Sequence, residues 1–134
     1  MKKTIEESKE KKAPLIVVVD DDESMREALQ SLLKSIGMCT AIFASAEDFL
    51  SSDKLYESDC LILDVRMPGM NGWELQQKLV AENRGIPIIF ISAYSEADEK
   101  NRAITAGAID FLVKPFSEEE LLDAVGAACK SKAR

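Results

Sequence analysis

The sequence contains no histidine, and this absence excludes several classes of catalytic and metal site. Ser-His-Asp and Cys-His catalysis, zinc or haem bound by histidine, and a phosphohistidine carrier all require that residue. The three cysteines, Cys39, Cys60 and Cys129, are widely spaced and form no C-x-x-C pair. Reduced thiols are therefore favoured over a disulfide framework, and the predicted compartment is reducing.

Glycine and proline are scarce, with 6 and 4 residues in a chain of 134, of which 46% are hydrophobic and 31% charged. This composition argues against a disordered or low-complexity protein. The longest apolar runs, Leu15–Val19 and Ile86–Ile91, are too short to span a bilayer, and no secretory signal is visible. A net charge of −7 makes nucleic-acid binding by the domain itself unfavourable. We expect a cytoplasmic protein without membrane contact.

Apolar runs alternate with amphipathic segments along the chain, which predicts an α/β fold. The predicted strands are Leu15–Val19, Cys39–Phe43, Cys60–Leu63, Pro87–Ile91 and Ile109–Val113. Because these runs are continuously apolar, we expect a parallel sheet covered on both faces, a three-layer α/β/α sandwich. Residues 14–131 form the predicted domain, after a Lys/Glu-rich arm at 1–13 and before a short tail at 132–134.

Five helices are predicted between and after these strands. Capping residues indicate where most of them begin. The starting signals are Asp22, Ser45, Asn71 with Glu74, and Ser117 with Glu120, while the fourth helix is predicted to run from near Ser95 to near Gly107.

Polar side chains follow four of the five apolar runs. Asp20 and Asp21 follow the first strand, Asp64 the third, Ser92 the fourth and Lys114 the fifth. Since the carboxyl ends of parallel strands meet at one edge of a sheet, we expect these side chains to converge there. One such aspartate alone would be an ordinary turn or capping residue, but the coincidence at four strand ends indicates a functional site.

The electrostatics of this constellation predict a cation. Two carboxylates about 4 Å apart repel by about 4 kcal/mol at an effective dielectric constant of 20. A divalent cation relieves that cost, and all-oxygen ligands without histidine favour Mg²⁺ or Mn²⁺ over zinc. Asp64 is the predicted nucleophile, because a carboxylate ionised at neutral pH can attack phosphorus without a general base.

Four segments, VVVDDDESMREAL, LILDVRMPGMNGWEL, FISAYSE and DFLVKPF, resemble the receiver domain of bacterial two-component response regulators in their order and spacing. The resemblance extends from about Leu15 to Cys129. Around Asp64 and Lys114 the sequence is similar to receivers of the FixJ-like branch. It implies the flavodoxin-like receiver fold, with strand order 2-1-3-4-5. It also implies a signalling protein rather than an enzyme, one that catalyses only its own phosphoryl transfer and autodephosphorylation.

The resemblance assigns roles to the residues of the predicted site. Asp64 corresponds to the phosphoacceptor, and Asp20, Asp21, Asp64 and the backbone carbonyl of Arg66 correspond to the Mg²⁺ ligands. Lys114 corresponds to the residue that pairs with the phosphoryl group.

Further roles concern the response to phosphorylation. Ser92 and Phe111 correspond to the switch residues, with Phe111 expected to rotate into space that Ser92 leaves, and the Lys114–Pro115 bond is expected to be cis. Arg66 and Tyr94 occupy the two positions that tune dephosphorylation. Their size predicts a long-lived phosphorylated form, which the rate of phosphate loss from an Arg66→Ala variant would test.

The implied partner is a sensor histidine kinase, since the chain has no histidine with which to phosphorylate itself. The surface of the fourth helix, fifth strand and fifth helix is the implied output face and possible homodimer interface. The FixJ-like sequence around Asp64 and Lys114 favours the interpretation that this chain is part of a longer transcription regulator over that of a single-domain protein.

Two other functions are compatible with the residues. Asp20, Asp21, Asp22, Glu23 and Ser24 fit the D-x-D-x-S motif of a small haloacid-dehalogenase-like phosphatase, with Asp20 as nucleophile. Against it, the chain is short and lacks a paired-acid motif after Lys114. The other alternative is a pseudo-receiver that binds partners without phosphorylation, although the intact acidic cluster disfavours it.

Overall fold

The structure is a computed structural model that describes residues 13–93, 96 and 98–133, without the side chains of residues 132 and 133. The predicted arm at 1–13 therefore lies outside the described residues except for Ala13. Five strands form one sheet: β1 Leu15–Val19, β2 Cys39–Phe43, β3 Cys60–Asp64, β4 Ile88–Ser92 and β5 Asp110–Val113. All neighbouring strands are parallel, in the order β2-β1-β3-β4-β5. The predicted sheet is confirmed.

Within the described residues, five α-helices connect or follow the strands: α1 Glu23–Ser35, α2 Ala46–Ser51, α3 Gly72–Ala81, α4 Glu99–Thr105 and α5 Glu118–Ala133. A short 3₁₀ helix at Asp53–Tyr56, which the sequence did not predict, lies between α2 and β3. The side chains of Asp22 and Ser45 accept hydrogen bonds from the first turns of α1 and α2. Both predicted capping boxes, at Asn71–Glu74 and Ser117–Glu120, are present.

The fourth helix differs from its prediction. It begins at Glu99 rather than near Ser95, and Ser95 itself lies outside the described residues. The backbone N–H of Glu99 donates to the carbonyl of Glu96 at 3.0 Å, and the Glu99 carboxylate accepts the N–H of Glu96 at 3.2 Å. These reciprocal bonds close a turn ahead of α4, so the regular helix starts later than the sequence pattern indicated.

Two apolar layers, one on each face of the sheet, fix the positions of the strand ends. Val17 and Val19 point to the layer that α2, α3 and α4 cover, whereas Ile16 and Val18 point to the layer beneath α1 and α5. Burial on both faces explains the nearly continuous apolar sequence of β1, β3 and β4. β2 and the two ends of β5 are less buried. Among the helices that the structure describes, none has the length and apolarity needed to cross a membrane.

Candidate functional site

An acidic cluster lies at the carboxyl edge of the sheet, where β1 and β3 end side by side. Asp20, Asp21 and Asp64 each place a carboxylate oxygen within 4.8 Å of the others, and Asp20 and Asp64 are buried. The adjacent β1 and β3 bring them together, because Val19 and Leu63 are direct neighbours in the sheet. The predicted convergence of these three residues is confirmed.

Asp20 is held by contacts to both oxygens of its side chain. Oδ1 accepts the backbone N–H of Asp22 at 2.9 Å, and Oδ2 accepts Lys114 Nζ at 3.0 Å. The Arg26 guanidinium also donates to the backbone carbonyl of Asp20 at 2.8 Å. Since Asp20 is 0% exposed, its carboxylate is fixed in place, and Lys114 compensates its charge.

The surroundings of Asp64 raise the pKa of its carboxyl group. Burial and the nearby charge of Asp20 raise the pKa of Asp64 and Lys114 lowers it, which together bring it to about 7. The backbone N–H of Arg66 donates to Asp64 Oδ1 at 3.3 Å. The sequence predicts an ionised Asp64 at neutral pH, whereas a pKa of about 7 leaves the metal-free carboxylate partly ionised there, because it is buried beside a second carboxylate.

A hard divalent cation fits this cluster. Its ligand atoms are carboxylate oxygens from Asp20, Asp21 and Asp64, and Mg²⁺ and Mn²⁺ prefer such ligands. The same cation would offset the repulsion that raises the pKa of Asp64. Exposed Asp21 leaves the cluster open to solvent on one side.

The Arg66 side chain leads from the acidic cluster to α4. Arg66 Nη1 donates to Ser92 Oγ at 2.7 Å, and Nη2 forms an ion pair with Glu99 Oε2 at 2.7 Å. The sequence predicts that Arg66 tunes dephosphorylation through its size, but it gives no signal that the Arg66 side chain has a partner on α4. Tyr94, the other predicted tuning residue, lies outside the described residues.

Ser92 and Phe111 both lie inside the fold. Ser92 is 0% exposed at the end of β4, where it is the sheet neighbour of Val113. Phe111 is 3% exposed, and its ring centroid lies 6.4 Å from the ring centroids of Trp73 and Phe90. Any movement of Phe111 therefore starts from a packed ring, not from an exposed one. The Lys114–Pro115 peptide bond is cis, as the resemblance implied.

The loop between β3 and α3 is held by a contact that sequence reasoning missed. Glu47, at the start of α2, accepts the backbone N–H of Met70 at 3.0 Å, and this bond lowers the pKa of Glu47. Gly69 adopts a φ of +74°, which glycine tolerates without strain. At Gly72, an added Cβ would lie 2.5 Å from the carbonyl oxygen of Asp64. Close packing of the loop thus fixes the backbone beside the acidic cluster.

The sheet order defines a flavodoxin-like α/β domain, and the acidic cluster at its carboxyl edge has oxygen ligands that fit a divalent cation. The chain belongs to the response regulator receiver domain family, whose sequence profile matches residues 16–126. Members of this family are signalling proteins, and the sequence resemblance is confirmed.

Named relatives support the same assignment. The chain is 48% identical over 119 residues to the response regulator protein TodT of Pseudomonas putida, covering 89% of this chain and 52% of TodT. It is 49% identical over 116 residues to the response regulator protein TmoT of Ectopseudomonas mendocina, covering 87% and 53%. The transcriptional regulatory protein FixJ of Bradyrhizobium diazoefficiens is 35% identical over 115 residues, covering 86% and 56%. The chain thus spans about half the length of these curated relatives.

Solved structures show the same fold. The response regulator StyR superposes with a TM-score of 0.84 and 47% identity, covering 90% of this chain and 61% of that chain. The structure of FixJ-N has a TM-score of 0.79 and 31% identity, covering 89% of this chain and 95% of that chain.

Proposed function

We propose that this domain is a phosphorylation-dependent switch in which Asp64 accepts a phosphoryl group from a phosphohistidine of a partner sensor histidine kinase. The observation that carries the proposal is the meeting of Asp20, Asp21 and Asp64 with Lys114 at one edge of the sheet. A negatively charged site that contains its own ammonium group suits phosphoryl transfer, which depends on positioning and charge neutralisation.

In the proposed transfer, an Asp64 carboxylate oxygen forms a bond to phosphorus. The P–N bond of phosphohistidine breaks, and its electron pair stays on the imidazole. Asp64 suits this role better than Asp20, because both Asp20 oxygens already accept hydrogen bonds, from Asp22 and Lys114. Protonated Asp64 must first lose its proton, and Lys114 favours that loss by lowering the pKa of Asp64.

Asp20, Asp21, Asp64 and the backbone carbonyl of Arg66 would hold Mg²⁺ or Mn²⁺. When bound, the cation supplies positive charge that neutralises the carboxylates and the phosphoryl oxygens. The Lys114 ammonium, 3.0 Å from Asp20 Oδ2, provides a second positive charge on this edge of the sheet. We propose that Lys114 also contacts the phosphoryl group once it is formed.

Ser92 and Phe111 would carry the change to the face formed by α4, β5 and α5. Ser92 donates its hydroxyl hydrogen to a phosphoryl oxygen, and the Phe111 ring repacks against Trp73. On this face Ile104 and Val113 are 45% and 41% exposed, which suits a homodimer contact formed on activation. Molecular mass in solution, with and without beryllofluoride, tests that contact, and an unchanged monomer would contradict it.

The downstream output is proposed to be transcription. The transcriptional regulatory protein TdiR of Thauera aromatica is 46% identical over 116 residues, which cover 87% of this chain and 51% of TdiR. The proposed domain would act in the cytoplasm through a DNA-binding part of a longer regulator, without contacting nucleic acid itself.

Phosphorylation with acetyl phosphate tests the proposed function. In the presence of Mg²⁺ the wild-type chain should become phosphorylated, with acetate leaving as the P–O bond of the donor breaks. EDTA removes the cation that neutralises the site, and the Asp64→Asn substitution removes the acceptor carboxylate. Either change should reduce the phosphorylated fraction about 100-fold or more.

Asp123→Asn is the matched control, because it removes one carboxylate from an exposed position on α5. Its phosphorylation should equal that of the wild type. Equal phosphorylation of Asp64→Asn and wild type, measured by intact mass, would contradict the proposed function.

A further inference from the structure

Arg66 joins the candidate site to α4 through two charged or polar contacts. Its guanidinium donates to Ser92 Oγ and to Glu99 Oε2, each at 2.7 Å. Ser92 is fully buried, and the Glu99 side chain is only 12% exposed while that of Arg66 is 34% exposed. Such partial burial makes the ion pair stronger than a solvent-exposed one.

The ion pair lies at the first residue of α4. The helix has 7 residues, and its N-cap residue, Asp98, makes no side-chain capping bond. Short helices of this kind are marginal without tertiary contacts. A second contact from the same side places the Arg102 guanidinium 4.1 Å from the ring centroid of Trp73 on α3. Two arginine contacts therefore hold α4 against the acceptor loop and α3.

We propose that Arg66 and Glu99 form a latch on α4, and that a phosphoryl group on Asp64 opens it by drawing the Arg66 guanidinium away from Glu99. This inference rests on the proposed function, because it requires phosphorylated Asp64. The latch is defined as the Arg66–Glu99 ion pair together with the Arg66–Ser92 hydrogen bond.

The competition between Glu99 and the phosphoryl group follows from charge and position. The backbone N–H of Arg66 already donates to Asp64 Oδ1 at 3.3 Å, and its guanidinium contacts Ser92, the proposed ligand of the phosphoryl group. Phosphorylation adds about −1.5 to −2 charges and strong acceptor oxygens beside this guanidinium. Arginine binds phosphoryl oxygens in bidentate geometry, so the new group competes directly with the single carboxylate of Glu99.

Opening the latch would alter a cleft of about 490 Å³ that Arg66, Glu99 and Trp73 help to line. Trp73 is the single tryptophan of the chain, and Arg102 of α4 covers its ring. Its fluorescence therefore reports both ligand binding and movement of α4.

The Glu99→Gln variant tests the latch. Glutamine retains an oxygen that can accept the N–H of Glu96, but it removes the charge that holds Arg66. Titration with beryllofluoride and Mg²⁺, followed by Trp73 fluorescence, should show about threefold to tenfold tighter binding than in the wild type. Amide hydrogen exchange across residues 99–105 should be about threefold faster or more in the unliganded variant, and wild type should reach that rate when beryllofluoride binds.

Asp98→Asn is the matched control, because it removes an adjacent exposed carboxylate that makes no capping bond. Both of its readouts should stay within about twofold of the wild type. In an Arg66→Ala background, Glu99→Gln should have no further effect, because the latch is already absent.

The outcomes separate the latch from the proposed function. If the wild type binds beryllofluoride but Glu99→Gln behaves like wild type or like Asp98→Asn, the latch is wrong and the proposed function stands. An additive effect of Glu99→Gln in the Arg66→Ala background would also overturn the latch. If the wild type does not bind beryllofluoride with Mg²⁺, the proposed function fails and the opening step fails with it.

Discussion

Replacing Gly72 by alanine should lower the free energy of unfolding by about 2–3 kcal/mol. The added Cβ would lie 2.5 Å from the Asp64 carbonyl oxygen and 3.0 Å from the Val65 Cα, and these backbone atoms cannot turn aside as a flexible side chain can. The loop must shift instead, which strains the Gly72 N–H bond to the Val65 carbonyl. Urea or thermal unfolding measures the loss.

Gly126→Ala provides the matched control for Gly72→Ala. Gly126 lies on the exposed face of α5, and a Cβ there meets nothing within 4 Å. Alanine should therefore stabilise the protein by about 0.5–1 kcal/mol through its higher helix propensity. Equal stability changes for the two variants would show that close packing at Gly72 does not fix the acceptor loop.

Asp64→Asn should raise the free energy of unfolding of the metal-free protein by about 1–3 kcal/mol at pH 8. Burial and the charge of Asp20 raise the pKa of Asp64 to about 7 in the folded protein, above its ordinary value in the unfolded chain. A raised carboxyl pKa means that the folded state binds the proton more tightly. Wild-type stability therefore falls, relative to the variant, as the pH rises from about 4 to about 7, and the difference is constant above that range.

Urea unfolding of both proteins at pH 4.5, 6 and 8 measures this difference. Asp123→Asn controls for the removal of one negative charge from an acidic chain, and it should show little of the pH dependence. Saturating Mg²⁺ should reduce the advantage of Asp64→Asn, since a cation stabilises the wild-type cluster selectively. An advantage that grows as the pH falls would contradict the assigned cause.

Local features of the fold could be predicted from the sequence because neighbouring residues determine them. β1 and β2 have the predicted bounds, and both capping boxes form where the side chains lie three residues apart. The long-range contact made by the first residue of α4 could not be predicted in this way. Glu99 bonds to Arg66, which is 33 residues distant along the chain, and no local pattern records that pairing.

The same distinction between local and long-range interactions applies to the candidate site. The order of the strands brings Asp20, Asp64 and Lys114 to one edge, and the apolar runs that end in these residues made this predictable. Crowding of the aspartates was predictable, but the raised pKa of Asp64 in particular was not, because it depends on burial and on which carboxylate Lys114 contacts. Glu47 was missed because its partner is a backbone N–H, at Met70, that any residue could supply.

Locating the phosphorylated residue shows whether Asp64 is the phosphoacceptor. The wild-type chain is treated with acetyl phosphate and Mg²⁺, the acyl phosphate is reduced with borohydride, and the modified aspartate is identified by peptide mass spectrometry. We predict modification at Asp64, whose carboxylate lies beside the Lys114 charge at the end of β3. Modification at Asp20 would instead indicate a haloacid-dehalogenase-like phosphatase, and a chain that takes up no phosphoryl group would indicate a pseudo-receiver.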